Sequence, residues 1–233
     1  IPLPLGQLTV LEKLGLFTNA LTGTIPDDLG LLTDLIYLSL NTNELNGTIP
    51  SSLRQLTALR SLGLAANALN GLIPDDLGLL TELTYLGLYE NALDGTIPSS
   101  LGQLMELQTL GLENNSLNGT IPYDLGLLTA LTFLHLHENA LTGTIPSSLG
   151  QLTALQTLAL STNELNGTIP SSLGQLTNLG VFAVSDNPLF SGTIPSEMSN
   201  LNNLAAAYFH NTNLTGTMPL CLLNKTFIEL VAE

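Results

Sequence analysis

The chain has 233 residues, 44% of them hydrophobic, and carries 19 acidic against 4 basic side chains, for a formal net charge of −15 at pH 7. Nucleic-acid binding needs phosphate neutralisation by Lys and Arg, and only Lys13, Arg54, Arg60 and Lys225 are available, so that partner class is excluded and an anionic membrane surface is disfavoured. No stretch approaches 18 uninterrupted apolar residues, so no membrane-spanning helix or direct membrane insertion is indicated.

The chain opens Ile1-Pro2-Leu3-Pro4-Leu5-Gly6-Gln7-Leu8, with Ile1 and Pro2 standing 24 residues before Ile25 and Pro26. It therefore begins inside a repeat whose first strand is missing, and the expectation is a piece of a longer protein, because an uncapped solenoid end exposes leucines. From there an asparagine recurs every 24 residues: Asn19, Asn43, Asn67, Asn91, Asn115, Asn139, Asn163 and Asn187. Each sits in the frame L-x-x-L-x-L-x-x-N-x-L-x-G-x-I-P, of which Leu35, Leu38, Leu40, Asn43, Leu45, Gly47, Ile49 and Pro50 are one complete copy. A fixed period of this length marks a stacked solenoid.

Within a copy, Leu38 and Leu40 are two apart and so share one side of an extended chain, while Tyr37, Ser39 and Asn41 point the other way. Asn43 falls where the chain leaves the strand; its amide both donates and accepts, so stacked asparagines can bridge buried turns as a ladder. Gly47 relieves a tight bend, and Pro50 starts the next segment. Ser51-Ser52, or Asp27-Asp28 in the alternate copy, sit at expected N-cap positions of a short 3₁₀ or single-turn helix on the outer side. Nine strands are expected, centred near Leu14, Leu38, Leu62, Leu86, Leu110, Leu134, Leu158, Phe182 and Ala207. They would stack about 4.8 Å apart into a parallel sheet. The eighth copy carries one extra residue around Pro188–Ser191, which predicts a bulge. In the ninth, Thr212 occupies the ladder position and Ala207, Tyr208 and Phe209 replace strand leucines, so the ladder ends there.

These residues resemble the leucine-rich repeat family in its plant-type, 24-residue class. The class signature L-x-G-x-I-P stands as Leu21–Pro26, Leu45–Pro50, Leu141–Pro146 and Leu165–Pro170, among others. Similar repeats occur in receptor-kinase ectodomains, polygalacturonase-inhibiting proteins and secreted algal, diatom-like proteins. The resemblance implies an α/β-type repeat solenoid: a right-handed superhelix with a parallel sheet on its concave face and short 3₁₀ turns on the convex side. About nine repeats, the first partial, would fill residues 1–223, with a C-terminal cap or tail starting at 224–233. An extracellular or cell-surface, ligand-binding or scaffolding role is also implied. Caps in this family often carry paired cysteines, so Cys221 has two open readings, a disulfide to a partner past Glu233 or a buried free thiol.

Six N-x-S/T sequons are present, at Asn46, Asn114, Asn118, Asn166, Asn213 and Asn224. Asn46, Asn118 and Asn166 share one repeat column, so their glycans would line one flank. Acidic residues follow a two-repeat cassette, Asp27-Asp28, Asp75-Asp76 and Asp124, against Ser51-Ser52, Ser99-Ser100 and Ser147-Ser148 between them. Capping and solubility account for them; Ca²⁺-mediated lateral association is the weaker alternative, since two carboxylates fall short of the six to eight oxygens Ca²⁺ prefers. No cofactor is otherwise expected.

The richest exposed strand positions fall in repeats four to six: Tyr85, Tyr89, Glu90, Glu113, Phe133, His135, His137 and Glu138. Aromatics with polar handles are common binding anchors, so this patch is the candidate ligand surface, although an exposed sheet also tolerates aromatics for packing alone. His135 and His137 alternate beside Glu113, but without a third histidine they read as surface residues and no metal site is assigned. Neither a nucleophile elbow, a zincin motif, a P-loop nor a dinucleotide fingerprint is present, so an enzyme is not expected. Two functions remain: an extracellular module recognising a protein, peptide or glycan, or a self-associating structural subunit of a glycosylated fibre, coat or wall.

Overall fold

The computed structural model describes residue 1, residues 3–217 and residues 228–229. Pro2, Cys221, Asn224 and Lys225 lie outside the described residues. Of the segment 224–233, Ile228–Glu229 is described, and it forms a strand.

Three rails run the length of a solenoid. The first is a ten-stranded parallel sheet of Lys13–Gly15, Tyr37–Ser39, Ser61–Gly63, Tyr85–Gly87, Thr109–Gly111, Phe133–His135, Thr157–Ala159, Val181–Ala183, Ala206–Tyr208 and Ile228–Glu229. Central residues pair in register, Leu14 with Leu38, Leu38 with Leu62, and so on to Phe182 and Ala207. The second rail was not anticipated from the sequence. It is a flank of short parallel strands in a four-stranded sheet (Thr22–Thr24, Glu44–Gly47, Ala68–Leu72, Ala92–Asp94) and a five-stranded one (Asn118–Thr120, Ala140–Gly143, Glu164–Gly167, Asn187–Thr193, Thr212–Thr215). A lone bridge from Thr96 to Asn118 links the two. The third rail is a stack of 3₁₀ helices, from Leu3–Gln7 and Asp27–Leu31 through to Ser196–Asn200. The expected bulge lies between Asn187 and Ser191, where the register shifts; Phe190 turns into the core and Leu189 out to solvent.

One coil has too little bulk to bury its own leucines, and stacking does it. In the second coil Leu35, Leu38, Leu40, Leu45, Ile49, Leu53 and Leu56 are all buried. Each such side chain contributes about 1.5–3 kcal/mol relative to exposure.

The ladder has the geometry its composition implies. Asn115 Nδ2 lies within hydrogen-bond distance of Leu112 O and Glu113 O of its own coil (3.1 and 3.2 Å) and Leu88 O of the preceding coil (3.2 Å), while Oδ1 accepts from Leu93 N–H at 3.0 Å. One amide thus ties down both ends of the previous coil's corner. The same set recurs from Asn43 to Asn187. Burial is uneven: Asn43 to Asn139 are half-buried, and only Asn163 and Asn187 are enclosed. Asn19 departs from the expectation. It is exposed and reaches only Leu16 O and Phe17 O of its own coil, because no preceding corner lies beneath it. Thr212 closes the series with one bond, from Oγ1 to Phe209 O.

The residue before each ladder position is left-handed. Thr18, Thr42, Ala66, Glu90, Asn114, Glu138, Thr162, Asp186 and Asn211 all have φ between 52° and 57°. Of the residue types at this corner only Asn and Asp adopt this region with ease, so the corner is imposed on Ala66 and the threonines by the bonds around it.

The N-cap expectation is corrected. From Asp27–Leu31 to Ser196–Asn200 the cap position of each outer helix is the proline, as at Pro26 and Pro50, extended and without a side-chain cap bond; Asp27-Asp28 and Ser51-Ser52 are the first helical residues. The serine hydroxyls act between coils instead, Ser100 donating to Asp75 O, Ser148 to Tyr123 O and Ser52 to Asp27 Oδ1. The helices stack this closely because a glycine faces the next coil's backbone: a Cβ on Gly78 would lie 2.4 Å from Ser100 O. Arg54 stands in that glycine column and turns outward to pair with Asp76 at 2.8 Å.

Asn163→Ala should strand two backbone groups of the neighbouring coil and cost about 2 kcal/mol. Asn19→Ala should cost less than about 0.5 kcal/mol, as an exposed surface change. Urea denaturation of both variants measures the difference; equal costs would mean that the bonds between coils contribute nothing.

Candidate ligand-binding face

The strand frame fixes which side chains leave the sheet. In each copy the two leucines go in and three positions face out, giving three columns along the concave face. The first holds Tyr37, Ser61, Tyr85, Thr109, Phe133 and Thr157; the second Ser39, Gly63, Gly87, Gly111, His135 and Ala159; the third Asn41, Ala65, Tyr89, Glu113, His137 and Ser161.

The middle column makes the face what it is. Without side chains at Gly87 and Gly111, neighbouring residues lie down across the strands. A Cβ on Gly87 would fall 2.4 Å from the Tyr85 hydroxyl, and one on Gly111 would fall 3.1 Å from Tyr89 Cδ1 and 3.2 Å from Glu113 Oε2. At Gly63 the Asn41 amide fills the same space, and its Oδ1 accepts from Ala65 N–H at 2.8 Å. The sequence marks this column as repeated Leu-Gly-Leu, a signal passed over because those glycines read as merely small. Tyr37 was passed over too. It flanks the same trough as Ser39, Asn41, Ser61, Gly63 and Tyr85.

Of the eight residues assigned from sequence, six converge: Tyr85, Tyr89, Glu113, Phe133, His135 and His137. Phe133 and His135 stack tilted at 6.2 Å between ring centres, and His135 meets His137 edge-on at 6.1 Å. His135 Nδ1 lies 3.9 Å from Glu113 Oε1. Glu90 and Glu138 belong to the left-handed corners beyond the strands, exposed at the rim. Of the sequons, Asn46, Asn118 and Asn166 fall on the flank sheet, Asn114 is an exposed left-handed corner, and Asn213 donates its amide to Pro188 O at 2.6 Å. Among the described residues, no group of three His, Cys, Asp or Glu is placed to hold a metal ion.

Burial sets the protonation of the face. It raises the Glu113 carboxyl above its usual range, with Glu90 and Glu138 adding to the effect. Burial also lowers both histidines, keeping them neutral at pH 7, and together with Tyr89 it pushes the Tyr85 phenol up to about 12.

The family profile for leucine-rich repeat regions matches residues 52–204, and a single-repeat profile matches residues 34–56. The chain belongs to the leucine-rich repeat family. Its repeats are of the plant type. Among similar solved structures is the plant peptide hormone receptor RGFR1 in complex with RGF2, 40% identical with a TM-score of 0.92 over 95% of this chain and 36% of that one. Another is the ectodomain of the Arabidopsis thaliana membrane receptor kinase GASSHO1/SCHENGEN3 in complex with CASPARIAN STRIP INTEGRITY FACTOR 2, 36% identical with a TM-score of 0.94 over 98% of this chain and 27% of that one. A plant ice-binding protein is 30% identical with a TM-score of 0.74 over 88% of this chain and 74% of that one. The chain thus spans well under half the length of the two receptors. No curated protein matches the sequence.

The titrations predict opposite pH trends. A histidine held below its unfolded value near 6.5 gives stability that is present above that pH and lost as pH falls below it. A carboxyl held above 4.5 gives stability that is present below that pH and lost as pH rises through its folded value. Glu113→Gln should therefore raise the Tm at pH 7 and leave it nearly unchanged at pH 4. Thermal melts across that range test this; an equal gain at both pH values would show that the Glu113 charge is not the cause.

Proposed function

We propose that this chain is a non-catalytic, extracellular recognition module that binds a peptide or protein segment across Tyr85, Tyr89, Glu113, Phe133, His135 and His137. The carrying observation is confinement. Large aromatic and ionisable side chains gather in three adjacent coils, whereas the coils to either side present Ser61, Ala65, Thr157, Ala159 and Ser161 on the same columns. Half-buried aromatic and ionisable anchors, with Phe133 exposed beside them and small residues on either side, suit a short extended ligand. The peptide hormone receptor solved with RGF2 and the receptor kinase ectodomain solved with CASPARIAN STRIP INTEGRITY FACTOR 2 support the reading by likeness of fold and repeat. The alternative of a structural coat or wall subunit gains no support from them.

A second reading concerns the flank sheet. Thr24, Thr48, Thr96, Thr120, Thr144 and Thr168 are exposed along it in one repeat column, about 4.8 Å apart from coil to coil by strand spacing, with the exposed Leu72 interrupting the series between Thr48 and Thr96. Each methyl sits on the next coil's left-handed glycine, as Thr120 Cγ2 does 2.8 Å from where a Cβ on Gly143 would be. That array, with the likeness to the ice-binding protein, supports adsorption to ice. Glycans at Asn46, Asn118 and Asn166 would cover the same sheet, so occupied sequons and ice adsorption exclude each other.

Panning a random peptide library against the unglycosylated chain separates the readings. Recognition predicts enriched peptides whose affinity falls at least about tenfold, or 1.4 kcal/mol, in Tyr85→Ala, Tyr89→Ala and His137→Ala, and stays unchanged in Thr157→Ala. Equal binding by all four variants would overturn it. The flank reading predicts instead that Thr120→Lys with Thr144→Lys abolishes inhibition of ice recrystallisation while Tyr85→Ala preserves it; a chain without any effect on ice growth removes that reading.

A further inference from the structure

Resting on the recognition reading, we propose that the concave face contains a socket for a cationic side chain, arginine or lysine, of the bound peptide, with Glu113 as its base and Tyr89 and His137 as its walls. The three residues hold the same repeat position in consecutive coils, so they neighbour one another at strand spacing, about 4.8 Å. Gly111 is the floor. With no Cβ there, the Tyr89 ring and the Glu113 carboxylate both settle onto the sheet.

The carboxylate is only partly satisfied. Its Oε1 lies 3.9 Å from His135 Nδ1, beyond a hydrogen bond, and its Oε2 is buried with no hydrogen-bond partner. Both facing histidines are held neutral by burial, so neither neutralises it. Among the described residues the basic side chains lie elsewhere: Arg54 pairs with Asp76, Arg60 with Glu82, and Lys13 stands four coils away. Glu90 and Glu138 at the rim add negative potential. A buried acceptor without a partner is costly, and a charge-assisted bond from a ligand recovers that cost.

The walls decide what kind of cation fits. A metal ion needs several ligating groups, and no three His, Cys, Asp or Glu among the described residues are placed to supply them. Tyr85 and Tyr89 supply aromatic surface beside the carboxylate instead, which suits the flat guanidinium of arginine or the stem and head of lysine.

The test pans one random peptide library in parallel against the wild-type chain, Glu113→Gln, and a Asp27→Asn/Asp28→Asn double variant. Glu113→Gln keeps the shape of the side chain and removes one charge; the double variant removes two from the outer side. The socket predicts that wild-type and double variant enrich peptides with Arg or Lys fixed at one position, and that Glu113→Gln loses that fixed residue with an affinity loss of at least tenfold. Enriched peptides that bind through Tyr85 but carry no fixed basic residue would overturn the socket and leave the recognition reading standing. A basic residue kept by Glu113→Gln but lost by the double variant would assign it to general charge and also overturn the socket. Failure to enrich any peptide would sink both readings.

Discussion

Everything in this solenoid depends on a side-chain amide doing the work of backbone. Each coil turns out of its strand through a left-handed residue and leaves a carbonyl and an N–H pointing along the axis. The ladder asparagine of the next coil meets both, as Asn115 does with Leu88 O and Leu93 N–H. The bond set holds Ala66 or Thr162 in a backbone region that an alanine or threonine resists. It also keeps consecutive coils in register, so that leucines stack on leucines and the Gly78 backbone can approach Ser100 O. Where the lower corner is absent, at Asn19, the same residue is exposed and makes only bonds within its own coil.

A frame so demanding leaves few positions free. Ladder, leucines, glycines, prolines and flank threonines are all committed to stacking, so chemistry is left to the outward columns of the concave strands. There the chain groups Tyr85, Tyr89, Glu113, Phe133, His135 and His137 in three adjacent coils, with Tyr37, Tyr208 and His210 on the same columns farther off. Glu113 lies down over Gly111 because the frame tolerates a glycine in the middle column; the same glycine takes from the carboxylate the solvent that would have satisfied it. The raised Tyr85 phenol and Glu113 carboxyl thus go with the absent side chains at Gly87 and Gly111.

The sequence showed most of this architecture because period 24 and the two-residue leucine spacing each have one structural solution. The bulge at 187–191 was legible as one extra residue, and the weak ladder at Thr212 as one changed residue. Other features were hidden for physical reasons. The flank sheet runs through Asn-Gly-Thr segments with no apolar alternation, so nothing in their pattern says strand. The left-handed corner is filled by Thr, Ala, Glu, Asn and Asp alike, so composition could not reveal it. Asp27 and Ser51 looked like caps because capping residues also make good bonds between coils. That Tyr85, Tyr89, Glu113, Phe133, His135 and His137 lie together on the concave face was legible from their columns. How far these side chains sink onto the sheet was not, because that depends on what Gly87 and Gly111 lack.

The most direct measurement of the central claim is amide hydrogen exchange in Asn115→Ala. The Leu93 N–H belongs to the coil before the substitution and donates to the Asn115 side chain. If the ladder holds each corner from the coil above, Leu93 exchanges at least tenfold faster in the variant, while Leu117, which donates to Asn139, keeps its protection. A Leu93 amide as protected in the variant as in the wild-type chain would contradict the account.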